Sequence, residues 1–529
     1  MSGNRGDAVV VGAGHNGLVG AIVLADAGWD VVVVEEQERA GGAVFSDRSL
    51  HPDYVTDWYS AFYPLGAASP VLSALDLHDC GLRWSHAPAV LAHILPDDRC
   101  AVLYRDADAT AASVDQFAAG DGAAWLRLFE AFEQIREPLL RALFTPFPPV
   151  RAGLSLAREL GAAELLRFMR FAVQPVRRSG EELFDGEGAR LLLAGNALHT
   201  DLPPEAAGSA IYGWLLAMLG QQVGFPVPVG GSSGIIDALV RRLTAAGGTV
   251  RTGTKAKRLD VSGGRVRGVE LEGGERLATG TVLADVAAPL LYEQLVGTQM
   301  LPPRMREDLR RFQWDSPTMK IDWALSGTVP WLAAAAREAG TIHLGADMNG
   351  LTRYAASLAT RELPPDPFVL LGQMTTSDPS RSPAGTESAW AYTHVPDGHD
   401  LDPDAVERHV RRVEAVVERH APGFGGLISA RRVQSPAELE ASEANLVGGA
   451  VNGGTASIHQ QLIFRPVPGL GRAETPIDGI YLASASAHPG GGVHGGPGAN
   501  AAVAALKRSG PTGKARRRLL DYSFGRLYR

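Results

Sequence analysis

The chain opens on a short continuous apolar run, Ala8 to Val11, with no polar alternation. Four such residues in a row fit a strand buried on both faces, as in a parallel sheet. Leu18 to Ala27 then reads as a helix closed by Gly28, and Val31 to Val34 as a second buried strand. From Cys80 to about Leu219 the texture becomes helical. Between Ala123 and Ile135, Trp125, Leu126, Leu128, Phe129, Phe132 and Ile135 recur at three- and four-residue steps. The proline-containing stretch Phe144 to Val150 breaks that pattern, and Arg151 to Val176 resumes it; its apolar stripes are expected in the core. Ile235 to Ala246 predicts an amphipathic helix ending at Gly247-Gly248. Strands are expected at Thr249–Thr252, Arg258–Val261, Val266–Leu271 and Thr281–Ala284, parted by Ser262-Gly263-Gly264 and Gly273-Gly274. Further on, Trp314–Leu325 reads as a strand, Pro403–His420 as a charged helix, Thr475–Ala483 as a turn and buried strand, and Ala499–Leu506 as a helix.

Between the first strand and helix lies Gly12-Ala13-Gly14-His15-Asn16-Gly17, a GxGxxG placed where a dinucleotide-binding turn requires it. Gly12 makes the tight turn, Gly14 lets backbone approach a pyrophosphate, and Gly17 allows close helix-to-strand packing. The helix N-terminus presents unpaired N–H groups to the phosphates. Glu35 and Glu36 follow the second strand, about twenty residues beyond the last motif glycine, where a carboxylate accepts hydrogen bonds from ribose hydroxyls and repels a 2′-phosphate. The cofactor is therefore a dinucleotide other than NADP.

Glu38-Arg39-Ala40-Gly41-Gly42-Ala43 continues from that acid without a break, and at this point the chain resembles the FAD-binding amine-oxidase and carotenoid-desaturase superfamily. The resemblance implies that Gly41, Gly42 and Ala43 lie against the pyrophosphate and flavin end of FAD, and that Ala256 clamps adenine through its backbone. A second motif, His488-Pro489-Gly490-Gly491-Gly492-Val493-His494-Gly495, is similar to that of carotenoid-desaturase-like proteins. It places Gly492, Val493 and Gly495 at the flavin, with the Val493 amide as candidate donor to the negative charge of reduced flavin near N1 and O2. Lys320 to Leu325, Asp378-Pro379-Ser380-Arg381 and Gln460 to Pro466 resemble the phytoene-dehydrogenase-like branch. The implied fold is α/β, with a Rossmann-type FAD-binding domain (1–79, 226–290, 470–510) interleaved with an α+β substrate-binding domain (80–225, 291–469) and a basic tail (511–529).

Catalytic groups are less legible. His488 or His494 can serve as a general base, or His488 can be a satisfied structural residue beside the isoalloxazine. Lys320 can sit near flavin N5, as the resemblance implies, or be a solvated lysine at a strand edge, the reading preferred here. No metal-binding spacing and no GxSxG is present. Neither Cys80 nor Cys100 lies in a flavin-linking motif, so FAD is expected to be non-covalent. Two cysteines in 529 residues fit a reducing, cytoplasmic setting. A net charge of −8 argues against nucleic acid as partner. The tail from Lys507 to Arg529 mixes Lys and Arg with Leu, Tyr and Phe; it is expected to be solvated, with peripheral membrane contact as the alternative. The expected reaction is dehydrogenation of a small hydrophobic substrate, with oxygen or a quinone as acceptor. Amine oxidation, polyene isomerisation on reduced FAD, and a non-catalytic flavin-binding role are the alternatives.

Overall fold

The structure is a computed structural model that describes residues 6–397 and 401–528. The apolar run Ala8–Val11 becomes the central strand of a five-stranded parallel sheet, ordered Ile480–Leu482, Val282–Ala284, Ala8–Val11, Val31–Val34, Thr249–Arg251. The helix His15–Asp26 packs on one face beside Ser233–Ala245 and Gly496–Ser509. The last crossing is very close: a Cβ on Gly498 would lie 1.9 Å from the Asn16 carbonyl oxygen.

The second sheet has seven strands in the order Ile428–Gln434, Thr318–Leu325, Glu387–His394, Val369–Gln373, Ala339–Leu344, Ala89–Ile94, Cys100–Leu103. Every pairing is antiparallel except that of Ala339–Leu344 with Ala89–Ile94. Its strands come from both sides of the Rossmann-type segments in the sequence, so the two sheets are interleaved along the chain. Helices Glu187–Leu198 and Ser209–Val223 cover it, joined by Asp121–Phe144 in one apolar core around Trp125, Phe132 and Trp214.

Three expectations are corrected. The strand expected from Trp314 begins only at Thr318, because Pro317 has no N–H to pair and the Asp315 carboxylate is taken up by the N–H groups of Val451, Asn452 and Gly454. The helix Val150–Val173 is not core along its apolar stripe: Leu154, Leu166, Met169 and Val173 are exposed, and Gly161 at φ 71° divides it. The basic tail is a helix, Gly513–Leu527, docked along one face and solvated along the other, rather than a segment solvated throughout. Phe524 and Tyr528 are buried against the parallel sheet, Arg516 pairs with Glu474, and Arg517 donates to the carbonyls of Thr475 and Pro476. Its Arg529 lies outside the described residues.

Candidate functional site

Strand register builds the dinucleotide end. Val11 pairs with Val34 on one side and Ala284 on the other, so the next residues, Gly12, Glu35 and Asp285, emerge side by side at the carboxyl edge of the sheet. Ligands of open α/β sheets bind at that edge. Gly12 has φ +95°, and a Cβ on Gly17 would lie 2.2 Å from the Gly12 carbonyl oxygen, so the turn closes only with glycine at both places. Glu35 is held by two backbone donors: Ala13 N–H to Oε2 at 2.7 Å and Gln37 N–H to Oε1 at 2.9 Å. Glu36 instead pairs with Lys255 at 2.6 Å on the rim. Gly41 donates its N–H to the Ala13 carbonyl at 3.0 Å, which lays the Gly-Gly turn across the first loop.

One cavity of about 600 Å³ runs from this edge towards the seven-stranded sheet. Of the residues singled out by sequence, Gly12, Gly14, His15, Asn16, Glu35, Glu36, Gly42, Ala43, Ala256, Gly492, Val493 and Lys320 line it. Gly17, Gly41 and Gly495 support the wall from behind. Gly495 precedes the helix Gly496–Ser509 at φ +73° and packs on Val19.

The residues fit an elongated dinucleotide. The glycine loop exposes bare backbone at a helix N-terminus, and the buried Asn16 Oδ1 has no protein partner. The Val493 N–H makes no hydrogen bond among the described residues, as a donor reserved for a ligand would. His15 donates from Nε2 to the Gly492 carbonyl at 3.2 Å, tying the two glycine motifs together; desolvation lowers its pKa to about 4, so it stays neutral.

At the far end Phe62, Leu370, Trp390 and Tyr392 make an apolar and aromatic wall. Trp390 and Tyr392 are two apart on one strand and therefore share a face; their rings stack at 5.9 Å and 8°. Lys320 is not a solvated edge lysine. Its strand is the second of seven, between Ile428–Gln434 and Glu387–His394, and the side chain is buried. Its ammonium pairs with Asp322 and donates to the Asp57 carbonyl at 2.9 Å, while burial pushes its pKa down. Asp322 also takes Arg432 at 3.0 Å; Arg381 joins Asp57 and Asp378, each at 3.0 Å. Three cations and three carboxylates thus balance beneath this wall.

The two candidate bases do not reach the cavity wall. His494 uses both ring nitrogens, Nε2 donating to the Gly491 carbonyl at 3.2 Å and Nδ1 accepting the Gly496 N–H at 3.1 Å. His488 donates from Nε2 to the Thr145 carbonyl at 3.0 Å. Burial lowers their pKa values to about 3 and about 4, respectively, which suits neutral structural rings.

Several site residues escaped the sequence reading. Asp285 and Glu443 line the dinucleotide end, and His199 lines the far wall with Nε2 2.9 Å from His343 Nε2. Arg465, buried, donates to the carbonyls of Asn452, Thr455 and Ala485 and so holds the loop opposite the cofactor strand. Arg465 lies in the Gln460 to Pro466 phrase, which the sequence offered only as a family resemblance, whereas Asp285 carried one signal only, its place directly after a buried strand.

Comparison with known proteins bears on this cavity. The family model described as "Flavin containing amine oxidoreductase" matches residues 17–412. The chain is 28% identical to the rat protein named pyridine nucleotide-disulfide oxidoreductase domain-containing protein 2, over 94% of this chain and 92% of the relative. It is 26% identical to a zeta-carotene-forming phytoene desaturase of Myxococcus xanthus, over 92% and 90% of the two chains. Among solved structures, an oxidoreductase from Methanosarcina mazei superposes with a TM-score of 0.62 at 15% identity, covering 94% of this chain and 99% of its own.

Proposed function

This chain belongs to the flavin-containing amine oxidoreductase family, and from that premise we propose that it is an FAD-dependent dehydrogenase of a hydrophobic substrate, with the cofactor held non-covalently. The observation that carries the reading is the continuity of the cavity: glycine loop and Glu35 at one end, Phe62, Leu370, Trp390 and Tyr392 at the other. When bound, the flavin supplies hydride acceptance at N5. The chain's own residues do the rest. Gly12, Gly14 and Asn16 receive the diphosphate, Glu35 the ribose, Ala256 the adenine, and Gly42, Ala43, Gly492 and Val493 the flavin end, where the Val493 amide stabilises added negative charge. The apolar wall excludes water from the reacting carbons, and oxygen or a quinone takes up the electrons. Similarity to phytoene desaturases supports a polyene or other lipid-like substrate.

Amine oxidation is the second reading, favoured by the family itself and by the Trp390–Tyr392 pair, an aromatic face that the C-terminal motif alone does not supply. The exposed apolar residues Leu154, Leu166 and Met169, with Leu519 and Leu527 of the last helix, support entry of a hydrophobic substrate from a lipid surface. No helix among the described residues is long and apolar enough to cross a membrane.

The deciding experiment is purification, a visible spectrum and acid release of the chromophore, followed by anaerobic mixing with long-chain polyenes and with primary amines. Released FAD and bleaching by the polyenes support the proposal. Bleaching by amines alone transfers it to the second reading, and a colourless protein that takes up no FAD overturns both.

A further inference from the structure

The dinucleotide end holds an unusual set of charges. Glu35, Asp285 and Glu443 are each less than a tenth exposed and line the same cavity, around Gly14. A Cβ on Gly14 would lie 2.6 Å from Asp285 Oδ2, and one on Gly42 would lie 3.5 Å from the Gly14 Cα and 3.8 Å from Glu443 Oε2. Asp285 Oδ2 accepts the Gly17 N–H at 2.8 Å, so a carboxyl occupies the same helix N-terminus at which a diphosphate binds. Asn445 ties the other two elements together, with its N–H to Glu443 Oε1 at 3.3 Å and its Nδ2 to the Asp285 carbonyl at 3.4 Å. Asn16 lines the same cavity, and its buried Oδ1 has no hydrogen-bond partner.

The surrounding charges do not balance it. From the second strand and its loop come Glu35, Glu36 and Arg39; from the residue just before the strand Ala256–Ser262, Lys255; from the segment around Pro436–Ser442, Glu440 and Glu443; from the glycine loop, neutral His15. Lys255 is committed to Glu36 at 2.6 Å, and Arg39 stacks on Phe45 at 3.4 Å. Neither Asp285 nor Glu443 has an ion-pair partner among the described residues. A dianionic diphosphate brought into this corner meets carboxyls rather than cations.

Resting on the FAD reading above, we propose that Asp285 and Glu443 are diphosphate-binding residues that act as neutral acids, so that the protein takes up FAD together with at least one proton. A protonated carboxyl donates a hydrogen bond to phosphate oxygen, whereas a carboxylate repels it. The energetics agree with the geometry: burial raises Asp285 to about 8 and Glu443 to about 7 before any ligand arrives. A nearby dianion raises both further, so binding draws protons in, and the affinity is full below these values and lost as pH rises through them.

The test is titration of FAD, ADP and adenosine into the apoprotein between pH 6 and 9.5, by flavin fluorescence and by calorimetry in buffers of different ionisation enthalpy. The expected result is proton uptake with FAD and ADP but not adenosine, and a Kd for FAD that weakens by about tenfold per pH unit above pH 8 for each proton taken up. Asp285→Asn, which keeps the acceptor for Gly17 and offers an amide donor, should take up one proton fewer with FAD and show a slope above pH 8 shallower by one proton; Glu443→Gln should flatten the lower part of the profile, and the double variant should bind FAD at pH 9 as it does at pH 6. Thermal unfolding of each apo variant establishes that it folds. PH-independent affinity without proton uptake, or an unchanged slope in both variants, overturns the proposal while leaving FAD binding intact. If neither FAD nor ADP binds at any pH, the FAD reading fails instead.

Discussion

The two ends of the cavity bury carboxylates in opposite ways. At the seven-stranded sheet Asp57, Asp322 and Asp378 are matched by Lys320, Arg381 and Arg432 within ion-pair distance. At the parallel sheet Asp285 and Glu443 face backbone N–H groups and each other's field without a cation in contact. The first arrangement holds fixed charges in a wall; the second keeps a space open for a ligand that brings its own negative charge. Low dielectric makes both costly if broken, but only the second depends on protonation.

The sharpest way to break the comparison is to remove Arg381, which is fully buried. Arg381→Met leaves Asp57 and Asp378 without their cation, and the expected loss is about 3–5 kcal/mol in denaturant unfolding. Survival with a loss under about 1 kcal/mol shows that the wall does not need its charges. Close behind is Gly498→Ala, whose added Cβ would meet the Asn16 carbonyl at 1.9 Å. Separation of the helices His15–Asp26 and Gly496–Ser509 moves the loop carrying Gly14, so FAD retention falls together with a stability loss of about 2–4 kcal/mol. An unchanged flavin-to-protein ratio after gel filtration contradicts the packing argument.

These two sites also differ in how far they were legible. The glycine loop, Glu35 and the Gly41-Gly42 turn are contiguous, and local chemistry dictates their places: tight turn, bare backbone, acid after a strand. Lys320 was misjudged because a single sequence does not show which strands flank it; its neighbours Glu387–His394 and Ile428–Gln434 lie more than 60 residues away along the chain. Asp285 was missed for a similar reason. Its proximity to Gly14 follows from the pairing of Val282–Ala284 with Ala8–Val11, a contact invisible to periodicity. The helix Val150–Val173 failed differently, since apolar spacing specifies a face but not what covers it.

Stability as a function of pH sharpens the contrast in protonation. Asp285 in the folded chain holds its proton up to about pH 8, whereas an unfolded aspartate releases it near about 4. Between those values the unfolded chain binds fewer protons, so this group makes apoprotein stability fall as pH rises, by at most about 1.4 kcal/mol per unit. Asp285→Asn should therefore raise the apo unfolding midpoint at pH 8 and leave it nearly unchanged at pH 4. The reverse order at the two pH values contradicts burial as the cause.

The least effect is expected where the sequence offered two acids and the structure uses them differently. Glu35 is 8% exposed and satisfies the N–H groups of Ala13 and Gln37, one on each oxygen, so each oxygen keeps a lone pair for a ribose hydroxyl. Glu35→Gln replaces one acceptor by a donor that opposes an N–H, and it should weaken FAD binding by about tenfold or more. Glu36 holds Lys255 at 2.6 Å, but both side chains are nearly half exposed, at 45% and 46%. Water screens such a pair, and Glu36→Gln should change stability by less than about 1 kcal/mol and FAD affinity by less than about threefold. Equal losses of affinity in the two variants, measured by flavin fluorescence at one salt concentration, place both acids on the ribose and remove the distinction that their hydrogen bonds draw.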